Sequence, residues 1–292
     1  MTDTPLAQAR TLLRELTEAA RSGAIIPVRL PGQLEQIAAL LESAEHAESE
    51  AAAAPPADTD EAMKTNAYFV SHAVHELRTP MTSIRGYADM LVNPALGTVT
   101  DMQRQFLETV RANARRMDAL LTDVSDIAKL RGGTLRVNVQ MDMFKNIAMM
   151  IEKAMQPTAE ALGRQLIFDV PSGLPLLNTD GELLAKAINK LVENGLRYNE
   201  REDGRVTVRG RGDGGQLVIE IEDNGIGITD DDLKHLGEVY FRSDDERVRA
   251  HKGSGLGVPI VYGIVALLGG EIAVHTVVDQ GTTFTIRLAG MT

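Results

Sequence analysis

Two stretches of the sequence carry apolar side chains at alternating spacings of four and three residues, and this pattern constrains the fold most strongly. Such a heptad, kept for about three repeats, is typical of helices that pack side by side in a bundle. Two helices alone bury little apolar surface, so we predict that two copies of the chain associate as a four-helix bundle, a homodimer. The first stretch contains Val70, Val74, Leu77, Met81, Ile84, Ala88 and Leu91; the second contains Phe106, Val110, Asn113, Met117, Leu120, Val124 and Ile127.

The breaks around these helices predict the organisation of the chain. Residues 93–98 (NPALGT) predict a turn between them, and the glycine pair after Arg131 predicts the end of the second helix. Upstream, residues 5–22 and 33–48 have helical spacing, and AAAAPPADTD has the composition of a linker. We therefore expect a helical segment, a linker, a helical hairpin and a mixed domain, at residues 1–50, 51–62, 63–132 and 133–292.

The mixed domain is predicted from strands and helices that do not alternate regularly, which indicates an α+β sandwich. LRVNVQM (135–141) and RQLIFDV (164–170) predict strands, and helices are expected at about 142–162 and 180–198. RVTVRGR and QLVIEIED predict a hairpin over the turn GDGG. A helix at 258–268 and the strands EIAVHTVV and TTFTIRLA complete the prediction.

Charge and composition exclude several functions. Among 292 residues, Asp and Glu number 41 and Lys and Arg 30, a net charge of −11 that disfavours sequence-independent nucleic-acid binding. The absence of cysteine excludes disulfides and thiolate metal sites. The longest strongly apolar stretch, 258–270, is shorter than the ~20 residues of a membrane span. We therefore expect a cytoplasmic protein without a span of its own.

Residues 71–81, SHAVHELRTPM, predict a reactive histidine on the first heptad helix. Thr79 lies one turn after His75, and the adjacent carboxylate of Glu76 can orient the imidazole or take its proton. Pro80 removes the hydrogen bond to the Glu76 carbonyl, so a bend is expected there. The alternative is a packing residue, which is the more common role for a lone histidine and the interpretation we keep for His72.

A second group of motifs predicts a nucleotide site. In EDNGIGI (222–228), Asp223 can accept a hydrogen bond from an exocyclic amine, while Gly225 and Gly227 let the backbone approach a flat base. KGSGLGVPI (252–260) leads into a helix whose N-terminus favours phosphate. On the helix NKLVENGLRYN, Asn194 offers an oxygen suited to Mg²⁺. Each motif alone is also compatible with an ordinary turn or loop.

Together and in this order, the HELRTP helix and the nucleotide motifs resemble sensor histidine kinases of two-component signalling. The resemblance implies a dimerisation and phosphotransfer hairpin followed by a GHKL-type ATP-binding domain, a Bergerat-type α/β sandwich. It implies that ATP phosphorylates His75, that Glu76 acts as base, and that Thr79 serves to dephosphorylate a partner. That partner is expected to be the receiver domain of a response regulator, whose aspartate receives the phosphoryl group.

The resemblance also assigns the residues of the ATP pocket. Asn194 is expected to hold Mg²⁺, Asp223 to read adenine, and residues 238–257 to form a mobile lid. Arg242 is expected to contact phosphate or the other domain. Further pocket and lid residues are Arg197, Tyr198, Gly225, Gly227, Gly253, Gly255, Leu256 and Gly257.

The sequence departs from the family pattern at three positions. Lys190 stands where an asparagine is usual, with Asn189 one residue away, Gly195 replaces an alanine, and Gly237 replaces an aromatic residue. Lys190 is expected either to reach the triphosphate or to be solvated. Residues 5–48 resemble a HAMP relay, with an ordinary dimerisation segment as the alternative.

Two other functions remain open from the sequence. A phosphatase-biased regulator is favoured by Thr79, and a non-catalytic dimeric adaptor is favoured by the three departures from the family pattern. Titration with Mg·ADP distinguishes an adaptor from either enzyme. Clear binding that is lost in Asp223→Asn argues against the adaptor.

Overall fold

The computed structural model describes residues 59–93 and 97–291, together with Thr11. The predicted helices 5–22 and 33–48, most of the linker 51–62 and residues 94–96 of the predicted turn lie outside the described residues. The chain divides into two compact units, Met1–Leu121 and Thr122–Thr292. This division falls inside the second heptad helix, eleven residues before the end of the hairpin expected from the sequence.

Two antiparallel helices form the described part of the first unit. Helix α1 spans Thr59–Val92 and helix α2 begins at Asp101 and continues to Arg131. Arg85 binds Asp118 at 3.0 Å, and Arg111 binds Asp89 nearer the turn, so partners later in α1 meet partners earlier in α2. The two ion pairs confirm the hairpin. Helix α1 starts four residues before the predicted Met63.

The predicted heptad faces are only partly covered within one chain. Val74, Met81 and Ala88 of α1 are buried against the hairpin. By contrast, the side chains of Phe106 and Val110 on α2 are 64% and 40% exposed. Large apolar residues at heptad positions are therefore left uncovered, and the prediction that a second copy covers them stays a prediction.

The second unit is a mixed sheet with helices, as the sequence predicted. Its strands and helices follow one another along the chain. They are β1 Gln140–Met143, α3 Phe144–Leu162, β2 Gln165–Asp169, β3 Leu176–Thr179, α4 Gly181–Arg197, β4 Arg205–Asp213, β5 Gln216–Asp223, α5 Asp230–His235, α6 Glu246–Arg249, α7 Gly257–Leu267, β6 Glu271–Val277 and β7 Gly281–Met291. Among the described helices, none has the length and apolar character of a bilayer span.

The seven strands form one sheet in the order β1-β3-β7-β5-β4-β2, and β6 pairs with β7 beside β3. All neighbours are antiparallel except β2 and β4, which run parallel. The predicted hairpin is confirmed, with Asp213 opposite Gln216. Its turn residues Gly214 and Gly215 both have positive φ, as a two-residue type I′ hairpin turn requires.

Alternation along the strands separates a core face from a polar face. Val206 and Val208 of β4 and Ile219 and Ile221 of β5 are buried in the core with residues of α3, α4 and α7. The intervening residues carry ion pairs, such as that of Arg209 with Glu220 directly across the ladder. The sheet therefore has helices on one face, which is the sandwich the pattern predicted.

The strand predicted at 135–141 is wrong for most of its length. The strand begins only at Gln140 and pairs with β3, which the sequence did not reveal. The backbone N–H of Thr134 instead bonds to the Lys129 carbonyl at 2.9 Å, and the N–H of Asn138 bonds to Asp180 Oδ2 at 2.8 Å. These N–H groups complete the end of α2 and the start of α4, so they do not join a ladder.

Candidate active site

His75 lies on the solvent side of α1. Its side chain is 78% exposed, and Nδ1 lies 3.9 Å from Glu76 Oε1. The preceding residue, Val74, is buried and anchors this turn of the helix. The imidazole therefore lies near a carboxylate on its Nδ1 side, beyond hydrogen-bond distance, and is accessible to a substrate. His72 is exposed on the previous turn.

Hydroxyl side chains accompany the proline after His75. Thr79 is exposed, and its Oγ1 donates to the His75 carbonyl at 3.4 Å. Thr82 and Ser83 donate in the same way to carbonyls four residues earlier, at 2.9 and 3.3 Å. Helix α1 continues through Pro80, so the missing hydrogen bond does not end it. Thr79 is thus exposed to solvent, like His75, on the next turn of the helix.

Asp223 ends β5 in the second unit, where burial raises the pKa of its carboxyl to about 6. Backbone N–H groups of Gly225 and Thr282 oppose this effect and lower the pKa, whereas the Glu222 charge raises it. The Gly225 bond to Asp223 Oδ1 is 2.8 Å long. A desolvated carboxyl held by backbone donors is suited to a specific hydrogen bond with a ligand.

The glycines after Asp223 are required by close backbone contacts. A Cβ at Gly225 would lie 2.4 Å from the carbonyl oxygen of Tyr198. Gly227 has φ +68°, and a Cβ there would lie 2.3 Å from the Val277 carbonyl oxygen. The loop therefore lies directly on the end of α4 and on β6. The close packing of this loop therefore requires glycine at both positions.

Helix α4 brings Asn194, Arg197 and Tyr198 to the same region. Tyr198 is the residue after the helix, and its carbonyl accepts from the N–H of Ile226, at 3.1 Å, in the Asp223 loop. Arg197 is paired with Glu193 one turn earlier. The Asn194 amide lies beside Gly257, where a Cβ would be 3.9 Å from its nitrogen. Asn194 is therefore adjacent to the start of α7.

In the predicted lid, residues 238–257, Arg242 makes several bonds to the backbone. Its guanidinium donates to the carbonyls of Gly253, Val248 and His251, at 3.2, 2.8 and 2.6 Å. These bonds hold the backbone of residues 248–253, and the predicted contact of Arg242 with phosphate or the other domain stays a prediction. Gly255 has φ +71°, and a Cβ there would lie 2.6 Å from the Tyr240 carbonyl carbon.

Leu256 and Lys190 have side-chain environments that the sequence did not reveal. Leu256, the residue before α7, is buried in the core, so its side chain anchors the start of that helix. Lys190 is paired with Asp123 near the end of α2, and it is therefore not simply solvated. The structure also explains why glycine stands at position 195. A Cβ there would lie 3.0 Å from Val206 Cγ2 and 3.1 Å from Asp223 Cβ.

Two asparagines that the sequence reading missed support the pocket. Asn199 and Asn224 are buried, and Asn199 Nδ2 donates to Asn224 Oδ1 at 2.8 Å. The N–H of Arg205 also donates to Asn224 Oδ1, and Asn224 Nδ2 donates to the Asp203 carbonyl. The network fastens the end of α4 to the Asp223 loop. The sequence contained a signal for this network, because Asn199 directly follows Tyr198 and Asn224 directly follows Asp223.

These residues fit a nucleotide with its metal. The buried carboxyl of Asp223 suits an exocyclic amine, and the cradle at Gly225 excludes any side chain. The start of α7 presents backbone N–H groups that favour phosphate. Asn194, next to that start, supplies an amide oxygen of the kind that completes Mg²⁺ coordination alongside phosphates. The residues present therefore fit Mg·ATP.

Comparison with known proteins finds matches to both the helical hairpin and the second unit. The His Kinase A (phospho-acceptor) domain model matches residues 65–133. The model of histidine kinase-, DNA gyrase B-, and HSP90-like ATPases matches residues 179–290. The chain is 30% identical to histidine protein kinase DivJ of Caulobacter vibrioides over 224 residues, 76% of this chain and 37% of DivJ. It is 26% identical to the circadian input-output histidine kinase CikA of Synechococcus elongatus over 285 residues, 97% of this chain and 38% of CikA.

The fold is also similar to a solved structure. Full-length ShkA, crystallised in complex with AMPPNP, superposes with a TM-score of 0.65 at 23% identity, covering 77% of this chain and 46% of ShkA. A phosphoacceptor hairpin followed by a GHKL-type ATPase domain defines the class of two-component kinases. The chain belongs to the sensor histidine kinases. It spans less than two-fifths of the length of DivJ and of CikA.

Proposed function

We propose that this chain is an ATP-dependent histidine autokinase that phosphorylates His75 and passes the phosphoryl group to an aspartate of a response regulator. The observation that carries the proposal is the exposed imidazole of His75 with Glu76 at its Nδ1 edge, in a chain whose residues 179–290 match the ATPase family model. An imidazole with its proton on Nδ1 has a free electron pair on Nε2. Nε2 is therefore the nucleophile.

The reaction forms one bond and breaks one. Nε2 of His75 bonds to the γ-phosphorus of ATP, the bond from that phosphorus to the bridging oxygen breaks, and ADP leaves with the electron pair. The imidazole then carries an excess positive charge, and the carboxylate of Glu76 stabilises it and accepts the Nδ1 proton. For this step, His75 of the first unit must reach the nucleotide held by the second.

The pocket residues bind and orient the substrate. Asp223 accepts from the adenine amine, the glycine backbone at 225–227 lies against the base, and the N–H groups at the start of α7 bind phosphate oxygens. Asn194 would hold Mg²⁺, which when bound neutralises charge on the phosphates. Arg242 keeps the lid backbone in place. Because ATP is a cytoplasmic substrate, we propose that the chain acts in the cytoplasm.

The partners follow from the exposed surfaces of the hairpin. The uncovered heptad residues Phe106 and Val110 support a homodimer, in which a second α2 buries them. A receiver domain is proposed to dock beside His75, where Thr79 is also exposed. We propose that the Thr79 hydroxyl orients a water for hydrolysis of the partner's phosphoryl group. Loss of dephosphorylation in Thr79→Ala, with autophosphorylation retained, tests this second activity; unchanged dephosphorylation contradicts it.

The direct test is labelling with ATP that carries a labelled γ-phosphate. The wild-type chain is expected to gain acid-labile, base-stable label, and His75→Gln is expected to gain none. His72→Gln is the matched control, because His72 is exposed on the same helix and should leave labelling intact. Undiminished labelling of His75→Gln overturns the assignment of the phosphoacceptor. A wild-type chain that binds Mg·ADP and never becomes labelled favours the adaptor instead.

A further inference from the structure

One face of α4 carries Lys186, Lys190 and Asn194, each one turn after the last. Both lysines are paired with buried carboxylates of α2, Lys186 with Asp126 and Lys190 with Asp123. All these residues belong to the second compact unit, which begins at Thr122. The pairs run in opposite chain directions, so the last turns of α2 lie antiparallel to α4 along this face.

The two ion pairs differ in their distance from the predicted phosphate position. The stem of Lys190 lies beside Gly257, where a Cβ would be 3.8 Å from Lys190 Cδ and 3.9 Å from the Asn194 amide nitrogen. Gly257 begins α7, whose N-terminal N–H groups favour phosphate. Lys190 is therefore one turn from the metal-holding amide and directly next to the phosphate end of the site. Lys186 is one turn further away.

The ammonium of Lys190 thus has two anionic partners within the reach of a flexible four-carbon side chain. One is Asp123, and the other is the triphosphate of a bound nucleotide, which carries more negative charge than a single carboxylate. If Lys190 turns to the triphosphate, Asp123 is left as a buried and unpaired charge. Such a charge strongly favours any movement that returns it to water.

We propose that Lys190 exchanges between Asp123 and the nucleotide triphosphate, so that nucleotide binding loosens the last turns of α2, residues 122–131, from α4. This inference rests on the proposed function, since it requires ATP in the second unit. It assigns the lysine that replaces the usual asparagine a role in coupling nucleotide binding to the segment that joins the two units.

The first measurement is calorimetric titration of the full chain with Mg·AMP-PNP. Lys190→Gln is expected to weaken binding by about tenfold, the usual effect of losing one charged contact. Asp123→Asn is expected to tighten binding by several-fold, because it removes the competitor for Lys190. Lys186→Gln and Asp126→Asn are the matched controls, and neither should change the affinity. Equal affinities for Asp123→Asn and Asp126→Asn overturn the exchange.

The second measurement is hydrogen exchange of the amides at 122–131, and its decisive comparison, the wild-type chain with and without nucleotide, does not depend on the folding of a variant. Mg·AMP-PNP is expected to speed exchange of these amides in the wild-type chain and to leave them unchanged in Lys190→Gln. Unchanged or slower exchange in the nucleotide-bound wild type overturns the inference and leaves the proposed function intact. Absence of any nucleotide binding by the wild-type chain overturns both.

Discussion

The carboxylate of Asp223 accepts a 2.8 Å hydrogen bond from the backbone N–H of Gly225. Burial raises the pKa of this carboxyl to about 6. Only the ionised carboxylate offers full charge to the adenine amine, so nucleotide affinity should fall as the pH drops through this value. Titration with Mg·ADP about one pH unit above and below it measures the change. Asp223→Asn should bind weakly at both pH values, and Glu222→Gln should keep the dependence. An affinity independent of pH contradicts the assignment of Asp223.

The raised pKa of Asp223 also predicts that, without nucleotide, the difference in stability between wild type and Asp223→Asn depends on pH. Its pKa is raised on folding, so its contribution to stability is fully present below the unfolded value of 3.8 and is lost as the pH rises through about 6. Asp223→Asn does not titrate. Relative to wild type, this variant should therefore gain up to about 3 kcal/mol in the free energy of unfolding between pH about 4 and about 7.5. Urea unfolding at both pH values measures this; a constant difference contradicts it.

Gly225→Ala should destabilise the second unit and abolish nucleotide binding. The added methyl group would lie 2.4 Å from the Tyr198 carbonyl oxygen, which is backbone and moves only if α4 moves. We expect a loss of about 1–3 kcal/mol, the usual cost of overpacking. Gly257→Ala is the control, because its nearest neighbours are 3.8 and 3.9 Å away and its stability should be close to wild type. Thermal unfolding of both variants compares them.

Arg242→Lys should loosen the lid without unfolding the domain. A lysine cannot reproduce the planar fork that donates to the carbonyls of Val248, His251 and Gly253. Hydrogen exchange of residues 248–253 should become faster, while the midpoint of thermal unfolding changes little. Arg249→Lys is the control, since Arg249 is exposed and pairs with Asp244 on the surface. If Arg242→Lys leaves lid exchange at the wild-type rate, Arg242 does not organise the lid.

Phe106→Glu should dissociate the proposed homodimer. A charge at this exposed heptad position would be buried without a partner, and the dimer dissociation constant should rise at least about tenfold. Arg104→Glu introduces the same side chain outside the heptad positions and should leave association unchanged. Sedimentation equilibrium of the three chains makes the comparison. A wild-type chain that is monomeric at all concentrations removes the four-helix bundle from the proposal.

The sequence predicted the elements whose signal is local. The hairpin β4–β5 followed from alternating residues around GDGG, and the extent of α3 and α4 was predicted to within two residues. The short strands β1 and β3 have four residues each and pair with strands distant in the chain, so no local pattern marks them. The helices α5 and α6 were also missed, although Thr229 and Asp245 cap them.

The chemical groups of the site were readable from the sequence, because residue type and spacing along one helix or loop decide them. His75 with Glu76, and Asp223 with Gly225, are neighbours in the chain, and their proximity needs no fold. Only the tertiary structure decided the pKa of Asp223, since burial by α4 and β7 sets it. It also decided the partner of Lys190, which lies 67 residues earlier in the chain, because an ion pair between two helices depends on how they pack.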